Sequence, residues 1–390
     1  SGFLFSVMAV IAIGVGANVL LEWEHSWKCR QQAGEETIKK TFFSRQKEGI
    51  LVSFAIQLFT IPLVAYSYYE IPVYAMLINL FVLAVVNGLL GLTVLGVIVG
   101  MAFLPAGRVL FAPCGWMLDS YRFLCEVSLK IPGAQRITGK PAHMRIFWYY
   151  LGLGVFLLAI YACARRNEKH KDCRETADLC VSRRKKRLQG IVFSCFIAFL
   201  LLFLLFPQKK SFEIDFLDVG QGDGIYLCTG GGTSMFIDGG STDVKQVGKY
   251  RILPFLKAKG VSEISYWFVS HTDTDHVSGL KEVLVSGYRV EYLVFAKAVE
   301  KEAKTKELAE LASSHGTKVF YMQAGDTVRS KRAAMRCLYP KAADKGEDIN
   351  DRCLVLQFEE GDISALFGGD ISTDCLLYTS PSPRDYAASR

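Results

Sequence analysis

The sequence predicts a polytopic α-helical membrane domain followed by an α/β domain. Of the 390 residues, 51% are hydrophobic, which is high for a soluble enzyme, and the long apolar runs lie almost entirely within residues 1–206. Residues 211–377 carry an ordinary share of charge, and short strand-like runs alternate there with helical ones. This change of character predicts two domains, one in the membrane and one in water.

Four apolar segments are each close to the roughly 20 residues with which a helix crosses a bilayer, and they lie at about residues 1–21, 50–69, 146–163 and 190–206. Residues 72–104 are too long for one perpendicular crossing, and Asn87-Gly88 predicts a break there into two short or re-entrant helices. Asn79 and Asn87 either line an aqueous path or bond between helices, and the sequence leaves both interpretations open.

Residues 113–130 predict an amphipathic helix that lies on the membrane or lines a vestibule. Charged residues within it are spaced for i,i+3 and i,i+4 pairs, and the opposite side carries Met117, Tyr121, Leu124 and Ser128.

The segment 165–189 carries ten Lys and Arg residues against four Asp and Glu residues. One interpretation is contact with nucleic acid or anionic lipid. The favoured interpretation is a basic cytoplasmic loop between two membrane helices, which would place the following domain outside the cell.

Residues 211–377 alternate strands and helices in an order typical of an α/β domain. Phe212, Ile214 and Phe216 alternate as in a half-buried strand. Further strands are predicted at 225–228, 234–237, 264–269, 290–295, 318–321, 354–358 and 363–367, the last two as a hairpin. Helices are predicted at 244–258, after His276 and at 300–313. The pattern predicts a sandwich of sheets with helices packed outside it.

The loop after the predicted strand 264–269 is the most informative about chemistry. His271, Asp273, Asp275 and His276 place four potential metal ligands within six residues. Such a loop can serve two cations, which suits activation of a water and neutralisation of a phosphoryl group. Asp275 is the best candidate to orient that water and assist with its proton. The competing interpretation is a polar turn that caps the following helix.

Upstream of this loop, Asp218 and Asp223 border one face if the first two strands pair, but a role in strand turns is favoured for both. Gly220 and Gly222 are interpreted as turn residues, because no Lys-Ser/Thr follows them as in a phosphate-binding loop.

Five ordered motifs carry a resemblance to a known family: DVGQGDG (218–224), IDGG (237–240), SHTDTDHVSGL (270–280), INDRCLVL (349–356) and LFGGDI (366–371). They resemble the metallo-β-lactamase-like domain of ComEC-type competence proteins, and residues 53–83 are similar to the membrane domain of that family. The resemblance implies an αββα sandwich. It also implies a membrane channel for single-stranded DNA in natural transformation, with membrane lipids and other DNA-uptake components as partners. The family's extracytoplasmic hydrolase-like domain is proposed to degrade the strand that is not imported.

The resemblance also implies roles for individual residues. His271, Asp273, Asp275 and His276 match the metal-binding motif, in which this family commonly has Asp where related proteins have His. Asp370 matches the acidic residue that bridges two metal ions. We therefore expect two divalent cations. The carboxylates favour manganese or magnesium, and zinc stays open.

Asp238 matches the Asp-Gly-Gly turn that supports the site from behind. Other positions depart from the family pattern. Asn350 and Asp351 fall where the superfamily often has a histidine, so that ligand is expected to be weakened or absent. The family's first soluble segment and a His-rich loop after Asp370 have no counterpart, so a fragment truncated at both ends is expected. For residues 378–390 a disordered tail is one interpretation, and a non-native tail is favoured.

Three functions remain open at this point. The first is a DNA channel with a tethered metal-dependent nuclease, and the second is a channel whose hydrolase-like domain only guides DNA. The third is a membrane-anchored metallohydrolase of a small ester or lipid headgroup. Several spans argue against the third function, since an anchor needs only one helix.

Overall fold

A computed structural model of the chain describes residues 2–26, 37–169, 179–207, 211–341 and 352–371. The chain divides into two compact units, residues 1–207 and 208–390, and each is described by itself. The predicted tail and the pair Asn350-Asp351 lie outside the described residues.

The first unit is built almost entirely from long helices. In chain order they are α1 (Gly2–Ile11), α2 (Asn18–Ser26), α3 (Thr37–Tyr68), α4 (Ala75–Ala102), α5 (Leu104–Lys130), α6 (His143–Lys169) and α7 (Leu179–Leu204). A π-helical segment, Ala12–Ala17, joins α1 to α2. A small antiparallel sheet pairs β1 (Glu70–Pro72) with β2 (Gln135–Ile137).

Among the described residues, four helical segments are long and apolar enough to cross a membrane: Gly2–Ser26, Glu48–Tyr68, His143–Arg166 and Arg184–Leu204. They correspond to the four spans predicted from the sequence. The chain is therefore a multi-pass membrane protein.

A proline inside α3 explains one contact that ties these helices together. Pro62 has no backbone N–H, so the carbonyl of Leu58, four residues earlier, has no donor within its own helix. The hydroxyl of the buried Tyr149 in α6 donates a hydrogen bond to that carbonyl at 2.9 Å. The hydroxyl of Tyr150 donates likewise to the carbonyl of Phe59 at 2.9 Å. The two tyrosines thus satisfy backbone groups that hydrocarbon cannot.

The predicted break at Asn87-Gly88 is wrong, because α4 continues through it as one helix. In apolar surroundings the internal hydrogen bonds of a helix have no substitute, and this outweighs the low helix propensity of glycine.

The predicted bounds of two other segments also differ from those in the structure. The predicted helix 113–130 is the second part of the longer α5. The predicted loop 165–189 is helical at both ends, where α6 continues and α7 begins.

The helices α4 and α5 approach each other closely. The hydroxyl of Tyr121 lies 3.5 Å from the carbonyl oxygen of Val82, and its ring meets that of Phe81 edge to face at 6.0 Å. Elsewhere along the pair, a Cβ built on Gly107 would lie only 2.6 Å from the Cα of Gly100. Glycine is therefore required at position 107 for the helices to pack as they do.

The second unit contains two sheets. The larger has six strands in spatial order: β3 (Glu213–Phe216), β4 (Gly224–Cys228), β5 (Ser234–Asp238), β6 (Glu263–Phe268), β7 (Arg289–Ala296) and β8 (Lys318–Met322). Strands β3 to β5 are antiparallel, and β5 to β8 are parallel. The smaller sheet is antiparallel, in the order β12-β11-β10-β9, from β9 (Thr327–Ser330), β10 (Ala333–Tyr339), β11 (Val355–Glu360) and β12 (Ile363–Phe367).

Helices α8 (Leu253–Ala258), α9 (Thr274–Val285) and α10 (Ala303–Ser314) lie between strands of the larger sheet in the chain. One hydrophobic core joins them to both sheets, since it contains Leu280 of α9, Trp267 of β6 and Phe358 of β11. The unit is thus an α/β sandwich, which confirms the predicted fold class. The predicted hairpin is confirmed as β11 and β12, whereas β9 and β10 were not predicted.

Candidate metal centre

The predicted ligands lie at one edge of the larger sheet. Strands β5 and β6 are parallel, with Ile237 opposite Phe268, so the residues that follow the two strands emerge side by side. Asp238 is the last residue of β5, and the segment 270–276, which follows β6, ends in the first turn of α9. Asp370 follows β12 of the smaller sheet. Segments from both sheets therefore form the centre.

Asp238 is buried and holds the loop after β6 in place. Its backbone is left-handed, with φ of 57°, a conformation that aspartate tolerates better than most residues. One carboxylate oxygen accepts the N–H of Ser270 at 2.7 Å, and the other lies 3.1 Å from Nδ1 of His276. The carbonyl of Asp238 accepts the indole N–H of Trp267 at 2.6 Å. This geometry is typical of a residue that orients a metal ligand from behind.

His271 and His276 lie side by side inside the unit. They are 2% and 1% exposed, and their ring centroids are 3.9 Å apart. The hydroxyl of Ser270 lies 3.1 Å from Nδ1 of His271 and 3.3 Å from Nδ1 of His276. With both Nδ1 atoms engaged, the two Nε2 atoms face the surrounding carboxylates, as in imidazoles that bind a cation.

Two carboxylates converge on Nε2 of His276: an oxygen of Asp370 lies 3.4 Å away, and one of Asp275 lies 3.8 Å away. Burial opposes protonation of this imidazole. The hydrogen bond to Asp238 and the charges of Asp238, Asp370 and Asp275 outweigh burial and raise the pKa of His276 to about 9. Burial, together with the charge of His276, lowers the pKa of His271. The pair therefore takes up one proton far more readily than two.

Asp273 occupies the N-cap position of α9, yet its side chain makes no capping hydrogen bond. One carboxylate oxygen accepts a hydrogen bond from Lys304 at 2.9 Å, and the other lies 3.8 Å from Nε2 of His271. The hydrogen bond from Lys304 lowers the pKa of Asp273. Helix capping thus does not account for this residue.

Asp223, which the sequence favours as a turn residue, lies at the centre. Its backbone N–H points to the carbonyl oxygen of Asp275 at 3.4 Å, and its own carbonyl accepts the N–H of Gly240 at 3.2 Å. Gly222 makes this approach possible, since a Cβ there would lie 2.4 Å from the same Asp275 carbonyl oxygen. A signal for Asp223 does exist in the sequence: it stands between two glycines immediately before a buried strand.

Two groups of side chains bring their potential ligand atoms within 4.8 Å of one another: His271, Asp275 and His276 in the first, and Asp223, His276 and Asp370 in the second. Buried imidazole nitrogens that face carboxylates are a donor set suited to divalent cations, so the residues fit a metal centre. Asp273 belongs to neither group and lies beside His271. His276 is common to both groups, although its Nε2 can bind only one ion.

The structure defines the class of the protein as a multi-pass membrane protein with an α/β sandwich and a candidate metal centre. Residues 1–162 match the family model described as competence protein. The chain is 24% identical over 342 residues to ComE operon protein 3 of Bacillus subtilis (strain 168), a match that covers 83% of this chain and 41% of that relative. Together these matches support a ComEC-type competence protein.

A second relative is Recombination protein 2 of Haemophilus influenzae, which is 31% identical over 106 residues, or 27% of this chain and 13% of the relative. The chain thus spans less than half the length of both relatives. Among solved structures, the metallo-β-lactamase fold protein YhfI from Bacillus subtilis is similar with a TM-score of 0.28 and 12% identity, over 38% of this chain and 55% of that one. The sheets and motifs of the chain itself indicate a sandwich of the metallo-β-lactamase type.

Proposed function

We propose that this chain is part of a DNA-uptake protein. Its membrane unit conducts single-stranded DNA, and its second unit is a metal-dependent phosphodiesterase that degrades the strand that is not imported. The observation that carries the proposal is the convergence of two buried histidines and several carboxylates at one sheet edge, in a chain of the competence family. Its partners are DNA, membrane lipids and other components of the uptake machinery, and its second unit faces away from the cytoplasm.

The membrane unit supports the transport part of the proposal. Four spans are more than an anchor needs, residues 1–162 match the competence family, and one relative is named a recombination protein. This favours transport over the membrane-anchored hydrolase of a small ester or lipid headgroup.

The second unit supports the hydrolytic part through its donor atoms. When bound, a divalent cation supplies a coordinated water of lowered pKa and neutralises phosphodiester oxygens. His271 and His276 would bind such cations through Nε2, and Asp370 would bridge two of them. Asp238 keeps Nδ1 of His276 engaged, which directs the lone pair of Nε2 toward the cation.

Asp275 is proposed to orient the attacking water and accept its proton. Its side chain is 26% exposed, so it can reach both the solvent and the buried imidazole of His276. Asp273 would add a ligand on the side of His271. Its partner Lys304, whose side chain is 65% exposed, places a positive charge beside the centre where a phosphodiester would approach.

The test is an assay of the purified full chain in detergent on linear DNA with Mn²⁺, Mg²⁺ or Zn²⁺. We expect cleavage that stops with a chelator, a rate lowered roughly 10²–10⁴-fold by Asp275→Asn, and loss of cleavage in His276→Ala. Asp218→Asn is the matched control, because that carboxylate is 83% exposed and pairs with Arg251 outside the centre.

Metal-dependent cleavage that survives both site substitutions would refute the assignment of the centre. Failure of the wild-type chain to cleave DNA with every metal would instead favour a second unit that guides DNA without cutting it.

A further inference from the structure

We propose that Asp223 is a metal ligand, and that together with His276 and Asp370 it holds a divalent cation that prefers oxygen donors. This inference rests on the proposed function, because it adds a ligand to the same centre. It concerns a residue from a loop that precedes β4, far in sequence from the histidine motif.

The distances fit one cation. Potential ligand atoms of Asp223, His276 and Asp370 all lie within 4.8 Å of one another. In an octahedral site with metal–oxygen bonds of about 2.1 Å, opposite ligands are about 4.2 Å apart and neighbouring ones closer. Small movements of the two carboxylates therefore bring all three atoms to bonding distance. Such movements are available, since the side chain of Asp370 is 47% exposed.

The backbone keeps Asp223 at the centre. Its carbonyl accepts the N–H of Gly240, which follows the Asp238 turn, and its N–H points to the carbonyl of Asp275 in the ligand loop. Gly222 has φ of +148° and no room for a Cβ, so the chain enters this position through a conformation that favours glycine. The loop before β4 is thus packed against both segments that carry the predicted ligands.

The positive charge that acts on the carboxylate of Asp223 is that of His276, itself a ligand of the proposed cation. Asp273 is paired with Lys304, and Asp218 with Arg251. In the part of the chain that the structure describes, no lysine or arginine is paired with Asp223. Instead, it is half-buried near the carboxylates of Asp238, Asp370 and Asp275. These carboxylates repel one another, and a divalent cation would offset that repulsion more fully than one protonated imidazole does.

The chemistry of this set indicates the kind of ion. Two carboxylates and one imidazole form a harder donor set than the His-rich zinc sites of hydrolases, which favours Mn²⁺ or Mg²⁺. In this arrangement His276 would bind one cation, and His271, Asp273 and Asp275 would be available to bind a second.

The test measures metal binding rather than catalysis. The full chain in detergent is stripped with a chelator and titrated with Mn²⁺, and free Mn²⁺ is followed by electron paramagnetic resonance. For Asp223→Asn we expect at least a tenfold loss of Mn²⁺ affinity at one site, whereas Asp218→Asn in the same motif should bind as the wild type does. Asp223→His retains a ligand, so it should regain binding with the preference moved toward Zn²⁺.

Wild-type Mn²⁺ affinity in Asp223→Asn would overturn the inference, as would a wild type that binds no Mn²⁺. Thermal unfolding without metal checks that each variant is folded. If Asp223→Asn does not fold, loss of Mn²⁺ affinity in Asp223→Glu, which moves the carboxylate by one methylene, decides instead. A wild type that binds Mn²⁺ through Asp223 but cleaves no DNA would refute the proposed hydrolysis and leave this inference standing.

Discussion

At the level of single residues, the proposed centre makes a metal ion and a proton compete for His276. Asp238 holds its Nδ1 from behind, while Asp275 and Asp370 face its Nε2. The same carboxylates that attract a cation also raise the pKa of His276 to about 9. Binding of a cation at Nε2 must therefore displace a proton over most of the physiological pH range.

This competition predicts that the stability of the metal-free chain falls as the pH rises, whereas its affinity for Mn²⁺ increases. The pKa of His276 in the folded chain, about 9, exceeds the value of about 6.5 for an unfolded chain. Without metal, the stabilising effect of protonated His276 is fully present below about pH 6.5 and is lost as the pH rises through 9. Affinity for Mn²⁺ should rise over the same range, by at most about tenfold per pH unit, because one proton is displaced.

Thermal unfolding in a chelator and Mn²⁺ titrations, each between pH 6 and 9.5, measure the two trends. His276→Gln should flatten both. His315→Gln, a change at an exposed histidine outside the centre, should leave both intact. The explanation fails if His276→Gln retains the wild-type slopes.

At the level of elements, close contact between α4 and α5 depends on a glycine. Replacing a glycine inside a helix by alanine normally stabilises the helix by roughly 0.5–1 kcal/mol. At Gly107 the sign should reverse, because the added Cβ would lie 2.6 Å from the Cα of Gly100 and force the helices apart. Gly115→Ala is the matched control in the same helix, since a Cβ there meets nothing within 4 Å.

The measurement for this prediction is the thermal stability of the two variants in detergent. We expect Gly107→Ala to be less stable than the wild type by about 1–3 kcal/mol, as overpacked sites are, and Gly115→Ala to be at least as stable. Equal stabilities of the two variants would show that α4 and α5 do not pack through Gly107.

The sequence predicts elements best where a local pattern determines them. The hairpin of β11 and β12 was found because apolar runs flank the turn at Gly361, and the strands of the larger sheet were found in the same way. β9 is short and largely polar, and Arg336 interrupts the apolar residues of β10. The break expected at Asn87-Gly88 failed because the surroundings of a helix, and not its sequence alone, decide whether it continues.

In the candidate centre, too, residues within a local pattern were predicted more easily than residues placed by distant contacts. The residues at 271–276 were predicted as candidate ligands because they are adjacent in sequence, and Asp370 and Asp238 because they stand in motifs of the family. Asp223 was favoured as a turn residue because its place beside the histidines depends on contacts with Gly240 and with the distant Asp275, which the flanking glycines alone do not show.

At the level of the whole molecule, the basic residues near the start of α7 predict which side of the membrane the second unit occupies. If residues 184–187 face the cytoplasm, the helix that follows carries the chain to the outer side. In a cysteine-free background, a cysteine in place of the exposed Lys245 should react with a membrane-impermeant maleimide on intact cells. Lys185→Cys should react only after the membrane is permeabilised. The reverse pattern of labelling would place the second unit in the cytoplasm.

The centre also draws on segments at opposite ends of the second unit, from Asp223 to Asp370. During synthesis, a ribosome must therefore add about 150 residues after the first of these carboxylates before the last one exists. A nascent chain that has completed only the six-stranded sheet contains both histidines but lacks Asp370. A centre that needs both Asp223 and Asp370 therefore cannot assemble until translation has passed the last strand of the smaller sheet.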